Sequence, residues 1–132
     1  MSRPTVLVVD DEPLVTDMLA MILDLGLNVE VIVTNSSLKA REILQEGRIS
    51  LLLTDYFMPD LNGLSLVRGL REQGSTVPVI LLTGYCDEPE LATNTDVFQP
   101  FEIIVKPWNN EHLLQRINAQ LRKSSTDSEP PK

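Results

Sequence analysis

Three acids and one base stand at the ends of apolar runs. Asp10 and Asp11 follow Val6-Leu7-Val8-Val9, Asp55 follows Ile49-Ser50-Leu51-Leu52-Leu53-Thr54, and Lys106 follows Glu102-Ile103-Ile104-Val105. Two neighbouring carboxylates at the tip of a buried run repel unless positive charge offsets them, and a divalent cation is the simplest such charge. Mg²⁺ prefers oxygen ligands, keeps several waters and takes one or two carboxylates plus a phosphate oxygen. Asp11 and Asp55 suit direct ligation, and Asp10 suits ligation through water. Beside such an ion Asp55 can act as a nucleophile, because aspartyl phosphate is an established covalent intermediate. Phosphoryl transfer needs little beyond positioning and charge stabilisation. Lys106 offers a mobile point charge to one phosphoryl oxygen. Thr83, after Val77-Pro78-Val79-Ile80-Leu81-Leu82, offers a hydroxyl donor to another.

These residues meet only if the elements that carry them share an edge. Residues 5–9 read as strand 1. Pro13 then suits a first helical turn, and Leu14, Val15, Met18, Leu19, Ile22 and Leu23 recur at helical spacing up to a stop at Gly26. Strand 2 is expected over 28–34. A second helix capped by Ser36 or Ser37 carries Leu38, Ile43 and Leu44 and ends at Gly47. Strand 3 spans about 49–54. The turn-rich loop from Asp55 to Gly63 leads to a third helix with Leu64, Val67 and Leu70 inward, ending near Gly74. Strand 4 spans 77–82, with Pro78 at its start because proline cannot donate to a central ladder. Segment 84–101 predicts a short, weak fourth helix. Asp87, Pro89 and Glu90 form a start signal, Thr93-Asn94-Thr95-Asp96 is poor helix material, and Pro100 closes the segment. Strand 5 is expected at 102–105 and a last helix at about 109–123, with Leu113, Leu114, Ile117 and Leu121. Residues 124–132 read as a disordered polar tail or linker remnant.

Five strands alternating with about five helices mean an α/β fold with a doubly wound parallel sheet. Right-handed crossovers bring all strand C-ends to one edge, where such folds bind ligands. The chain of 132 residues, 42% hydrophobic, is sized for one domain. A net charge of −8 argues against direct nucleic-acid binding, which needs a basic face. The single cysteine, Cys86, excludes an internal disulfide and fits a cytoplasmic setting. No apolar stretch approaches the roughly 20 residues that span a bilayer, and no signal peptide is expected. His112, the one histidine, reads as a surface position of the last helix, and Cys86 as an inert thiol.

The chain resembles a response-regulator receiver domain over about residues 4–123. The matching residues are Asp10-Asp11-Glu12-Pro13, Asp55 with Met58-Pro59 and Gly63, Thr83-Gly84, and Lys106-Pro107, in that order. The resemblance implies a flavodoxin-like sheet of order 2-1-3-4-5. It implies Mg²⁺ held by Asp10, Asp11, Asp55 and the backbone carbonyl of Phe57. Asp55 would be phosphorylated by a sensor histidine kinase or phosphotransfer protein, and Thr83 and Lys106 would sense the phosphoryl group. Such a phosphoacceptor catalyses its own phosphorylation and dephosphorylation without being a turnover enzyme. Its output would pass to a downstream protein or a fused output domain. A cis peptide bond is implied before Pro107.

Three positions depart from the family pattern. Ile103 stands where an aromatic usually precedes the lysine by three residues. Asp96-Val97-Phe98-Gln99-Pro100-Phe101 replaces the usual Ala-x-x-x-Gly-Ala, so the face of the fourth helix, strand 5 and the last helix should be unusual. Phe57 and Tyr85, two residues after Asp55 and Thr83, would flank the mouth of the site and slow the attack of water. The competing class is a Mg²⁺-dependent phosphatase or related acid-cluster hydrolase. Such enzymes usually carry two acids two residues apart on one loop, nucleophile first, whereas Asp10 and Asp11 are adjacent and Phe57 takes the second position after Asp55.

Overall fold

The computed structural model describes residues 3–84 and 99–128, with side chains described up to 123. Five strands, β1 (Thr5–Val9), β2 (Glu30–Thr34), β3 (Leu51–Asp55), β4 (Val79–Thr83) and β5 (Phe101–Val105), pair in parallel in the order β2-β1-β3-β4-β5. Among the described residues lie four helices, α1 (Pro13–Gly26), α2 (Ser37–Gln45), α3 (Gly63–Glu72) and α4 (Asn110–Ser128). The short fourth helix expected within 84–101 falls mostly on residues 85–98, outside the described residues, as do Tyr85 and Cys86.

The central strands β3 and β4 are buried throughout and β1 nearly so, which is why they read as continuous apolar runs rather than alternating ones. Alternation is hidden inside those runs. Val6 and Val8 join Leu19 and Leu23 of α1 and Leu113 and Ile117 of α4 on one face. Leu7 and Val9 join Ala40 and Leu44 of α2 and Leu64, Val67 and Leu70 of α3 on the other. Two apolar layers therefore clamp a sheet that has no solvent face at its centre.

Several boundaries differ from the sequence reading. Strand 2 starts at Glu30 rather than residue 28, and strand 3 takes in Asp55 itself. Strand 4 begins after Pro78, whose carbonyl accepts from Leu52 N at 3.0 Å. α1 runs through Gly26 instead of stopping before it, and Leu27 N–H closes the helix on the Leu23 carbonyl. Gly26 serves packing: a Cβ there would sit 2.5 Å from a Leu114 methyl, so its absence lets α4 approach α1. The start of α1 also corrects the apolar face, because Leu14 and Met18 are exposed while Leu19 and Leu23 are buried. α4 continues to Ser128, so the polar segment 124–128 that composition assigns to a tail is helical. Propagation from a docked segment is cheaper than nucleation, so middling helix formers can extend it. Ser36 caps α2 by accepting from Lys39 N, and Gly47 and Gly74 take positive φ beyond α2 and α3.

Candidate functional site

Register brings the strand ends level. Val9 pairs with Thr34 on one side and Thr54 on the other, Asp55 with Leu82, and Thr83 with Val105. The ladder continues one residue further at three places. Asp10 N donates to the Thr34 carbonyl at 3.3 Å, Tyr56 N to the Leu82 carbonyl at 3.0 Å, and Lys106 N to the Thr83 carbonyl at 2.8 Å. Backbone pairing, not loop packing, thus fixes where the candidate side chains start.

Gly63, read from the sequence as a turn residue, does more. Its N–H donates to the Tyr56 carbonyl at 2.9 Å, and a Cβ there would lie 2.4 Å from the Asp55 carbonyl oxygen. Only glycine lets the start of α3 lie this close to the Asp55 backbone. Asn62 caps that helix by accepting from Ser65 N at 2.8 Å.

Carboxylate oxygens of Asp10, Asp11 and Asp55 lie within 4.8 Å of one another. Asp10 and Asp55 are buried and Asp11 is exposed. Lys106 Nζ donates to Asp55 Oδ1 at 2.9 Å and stands 3.9 Å from Asp10 Oδ2. Asp10 Oδ1 accepts from Glu12 N at 3.0 Å, while its buried Oδ2 has no hydrogen-bond partner among the described residues. Burial pushes the Asp10 carboxyl up to about 6; Asp55 and Asp11 add to this, and the Glu12 N–H and Lys106 oppose it. One lysine does not balance three acids. The donor set suits a hard divalent cation, and the buried Asp10 Oδ2, which the lysine faces without a hydrogen bond, has ligand capacity to spare.

A family model for the response regulator receiver domain matches residues 6–118. The chain belongs to this family. It is 35% identical over 132 residues to the uncharacterized transcriptional regulatory protein YkoG of Bacillus subtilis (strain 168), covering 98% of this chain and 56% of that protein. It is 30% identical over 130 residues to the phosphate regulon transcriptional regulatory protein PhoB of Pseudomonas aeruginosa, covering 96% and 56%. The chain therefore spans about half the length of the curated relatives it matches. A CheY-like receiver domain protein from Methanospirillum hungatei JF-1 superposes with a TM-score of 0.86 at 23% identity, over 96% of this chain and all of that one, which shows the shared fold.

Within this receiver domain the structure brings together Asp10, Asp11, Asp55 and Lys106. Thr83 sits fully buried at the end of β4, next to the strand that carries Asp55. Phe57 is about half exposed, with its ring edge-on to buried Tyr56 at 4.7 Å. Lys106-Pro107 is a cis peptide, as the resemblance implies, and Gln99-Pro100 is a second. His112 is exposed on α4, away from the acids in sequence and element. Trp108 packs against the α1 and α4 layer and donates from Nε1 to Asn110 Oδ1 at 3.0 Å.

Proposed function

We propose that this receiver domain accepts a phosphoryl group on Asp55 from a sensor histidine kinase or phosphotransfer protein, in a Mg²⁺-dependent reaction, and thereby switches protein contacts. The observation that carries the reading is the convergence of three acids, two of them ion-paired with Lys106, with a buried oxygen of Asp10 left without a hydrogen-bond partner among the described residues. Asp11, Asp55 and the Phe57 carbonyl would hold the ion, with Asp10 supporting it. When bound, Mg²⁺ supplies charge neutralisation for the acids and for the incoming phosphoryl oxygens.

An Asp55 oxygen attacks phosphorus, the bond to the donor nitrogen breaks, and its electron pair leaves with the imidazole. Lys106, already on Asp55, transfers its hydrogen bond to a phosphoryl oxygen. Thr83 donates its hydroxyl to another. Asp55 exchanges its single carboxylate charge for a phosphoryl group of about −2, a net gain of about one negative charge spread over new oxygens, which gives Thr83 and Lys106 a differential contact between the two states. A conformational change built on that contact passes through the chain after Thr83. The domain catalyses its own phosphorylation and hydrolysis without multiple turnover.

Its setting is the cytoplasm, where such kinases present phosphohistidine. No helix among the described residues is long and apolar enough to cross a membrane. Output is to a downstream protein or a fused output domain; the matched relatives' names describe transcriptional regulators. The acidic balance of this chain speaks against its own direct contact with nucleic acid.

The test is intact mass after incubation with a small-molecule phosphodonor and Mg²⁺. One phosphoryl per wild-type chain and none on Asp55→Asn is expected. Multiple turnover of phosphomonoesters would favour the hydrolase reading instead.

A further inference from the structure

Asn35 follows β2, the one strand that contributes none of the site residues discussed above. Although Asn35 is exposed, its Nδ2 makes two hydrogen bonds, to the Asp10 carbonyl oxygen and to Thr16 Oγ1, both at 3.0 Å. Thr16 lies on α1 and is buried. Its hydroxyl donates onward to the Pro13 carbonyl at 3.0 Å. A chain of bonds thus links the first turn of α1, the loop after β2 and the backbone of Asp10.

The Asp10 carbonyl belongs to the peptide unit that joins Asp10 to Asp11. That unit is planar and rigid, so anchoring its oxygen fixes the direction in which the chain enters Asp11. Asp10 has tethers of its own, through its N–H to Thr34 and through Oδ1 to Glu12 N. Asp11 is exposed, and repulsion from Asp10 and Asp55 opposes the close approach of its carboxylate to theirs. Something must hold the shared peptide against that repulsion.

We propose that Asn35, supported by Thr16, is a positioning residue that holds the Asp10–Asp11 peptide so that the Asp11 carboxylate converges with Asp10 and Asp55 on a divalent cation. This rests on the Mg²⁺ reading above. Asn35 touches neither the ion nor the phosphoryl group. It acts by keeping the ligand set assembled before the ion arrives, which reduces the reorganisation that binding requires.

The experiment is calorimetric titration of Mg²⁺ into wild type, Asn35→Ala, Asn35→Asp and Ser36→Ala, with thermal melts in chelator. Asn35→Ala should bind about three- to tenfold more weakly, the scale of one lost hydrogen bond to a ligand's support. Asn35→Asp is the discriminating variant. Long-range charge alone predicts tighter binding from an added carboxylate, whereas loss of the donor predicts weaker binding. Ser36→Ala removes the α2 cap one residue on, so it should lower the melting temperature and leave Mg²⁺ affinity unchanged. Asn35→Ala within twofold of wild type, or Asn35→Asp tighter than wild type, overturns the proposal. A wild type that takes up no Mg²⁺ at millimolar concentration overturns the Mg²⁺ reading, and this inference with it.

Discussion

Two carboxylate–cation pairs in this molecule look alike on paper and are built to opposite ends. On the flank, Glu102 of β5 receives Arg116 Nε on one oxygen and Arg116 Nη2 at 2.9 Å and Gln120 Nε2 at 2.8 Å on the other. Both oxygens are satisfied, the charges balance, and the planar guanidinium locks the geometry. At the strand ends, Lys106 meets Asp55 at 2.9 Å and stands 3.9 Å from Asp10, with Asp11 beside them and one buried Asp10 oxygen without a hydrogen bond among the described residues. The first pair is complete and therefore structural. The second is deliberately short of positive charge, and its flexible ammonium can move from one oxygen to another.

The largest expected effect breaks the strand-end pair. Lys106→Met removes the main positive charge facing Asp10 and Asp55. It should cost about 1–2 kcal/mol in chelator, as judged by urea melts, given that the lysine is about one-third exposed. The same variant should bind Mg²⁺ more tightly, since one competing charge is gone. A variant with unchanged stability in chelator would mean that the acids are not in conflict.

Asp10→Asn should act in the opposite direction. The folded Asp10 carboxyl titrates at about 6 against 3.8 for an unperturbed group, so the native state holds its proton more tightly than the unfolded chain. Its ionisation therefore destabilises the fold progressively as pH rises from 3.8 through about 6, and fully above that. Asn should stabilise the Mg²⁺-free protein by about 1 kcal/mol at pH 8. It should give no gain below pH 3.8, where Asp10 is protonated in both states. Stabilisation that persists undiminished at low pH would assign the effect to something other than charge.

The flank pair should respond least, and with the other sign. Burial raises the Glu102 carboxyl, but hydrogen bonds from Arg116 and Gln120 outweigh it and hold it below the usual carboxylate range. Its contribution is present above the unfolded pKa and is lost as pH falls through the folded one. Glu102→Gln should cost under about 1 kcal/mol at neutral pH, less as the solution is acidified, with no change in phosphorylation. If Glu102→Gln instead alters the phosphorylation rate, the two pairs are coupled and the division between them is wrong. Phe57→Asn tests the mouth of the site alone. Loss of phosphate should accelerate a few-fold, as read by mass against time, and equal decay in both proteins would remove Phe57 as a barrier to water.

The difference between the two pairs also explains what the sequence could show. Asp10, Asp11, Asp55, Thr83 and Lys106 were legible because each follows an apolar run, and parallel strands send all such ends to one edge. Strand 2 was the exception. Its exposed, partly polar run gave a weaker signal, so Asn35 behind Thr34 passed unremarked although it stands at a strand end like the others. Gly63 was visible as a turn residue, but its approach to the Asp55 carbonyl depends on how α3 docks, which no local pattern encodes. Leu14 and Met18 have helical spacing yet face outward, because periodicity gives a face and not its partner. The Glu102–Arg116 pair joins two elements through tertiary packing, and its residues are ordinary charged ones in sequence.

Phosphorylation of the wild-type chain in Mg²⁺ and in chelator, followed by peptide mapping with hydroxylamine to report acyl phosphates, tests the central claim most directly. A single hydroxylamine-labile phosphoryl group on the peptide containing Asp55, formed with Mg²⁺ and absent with chelator, is the predicted result. A phosphoryl group on any other residue, or equal labelling in chelator, would contradict it.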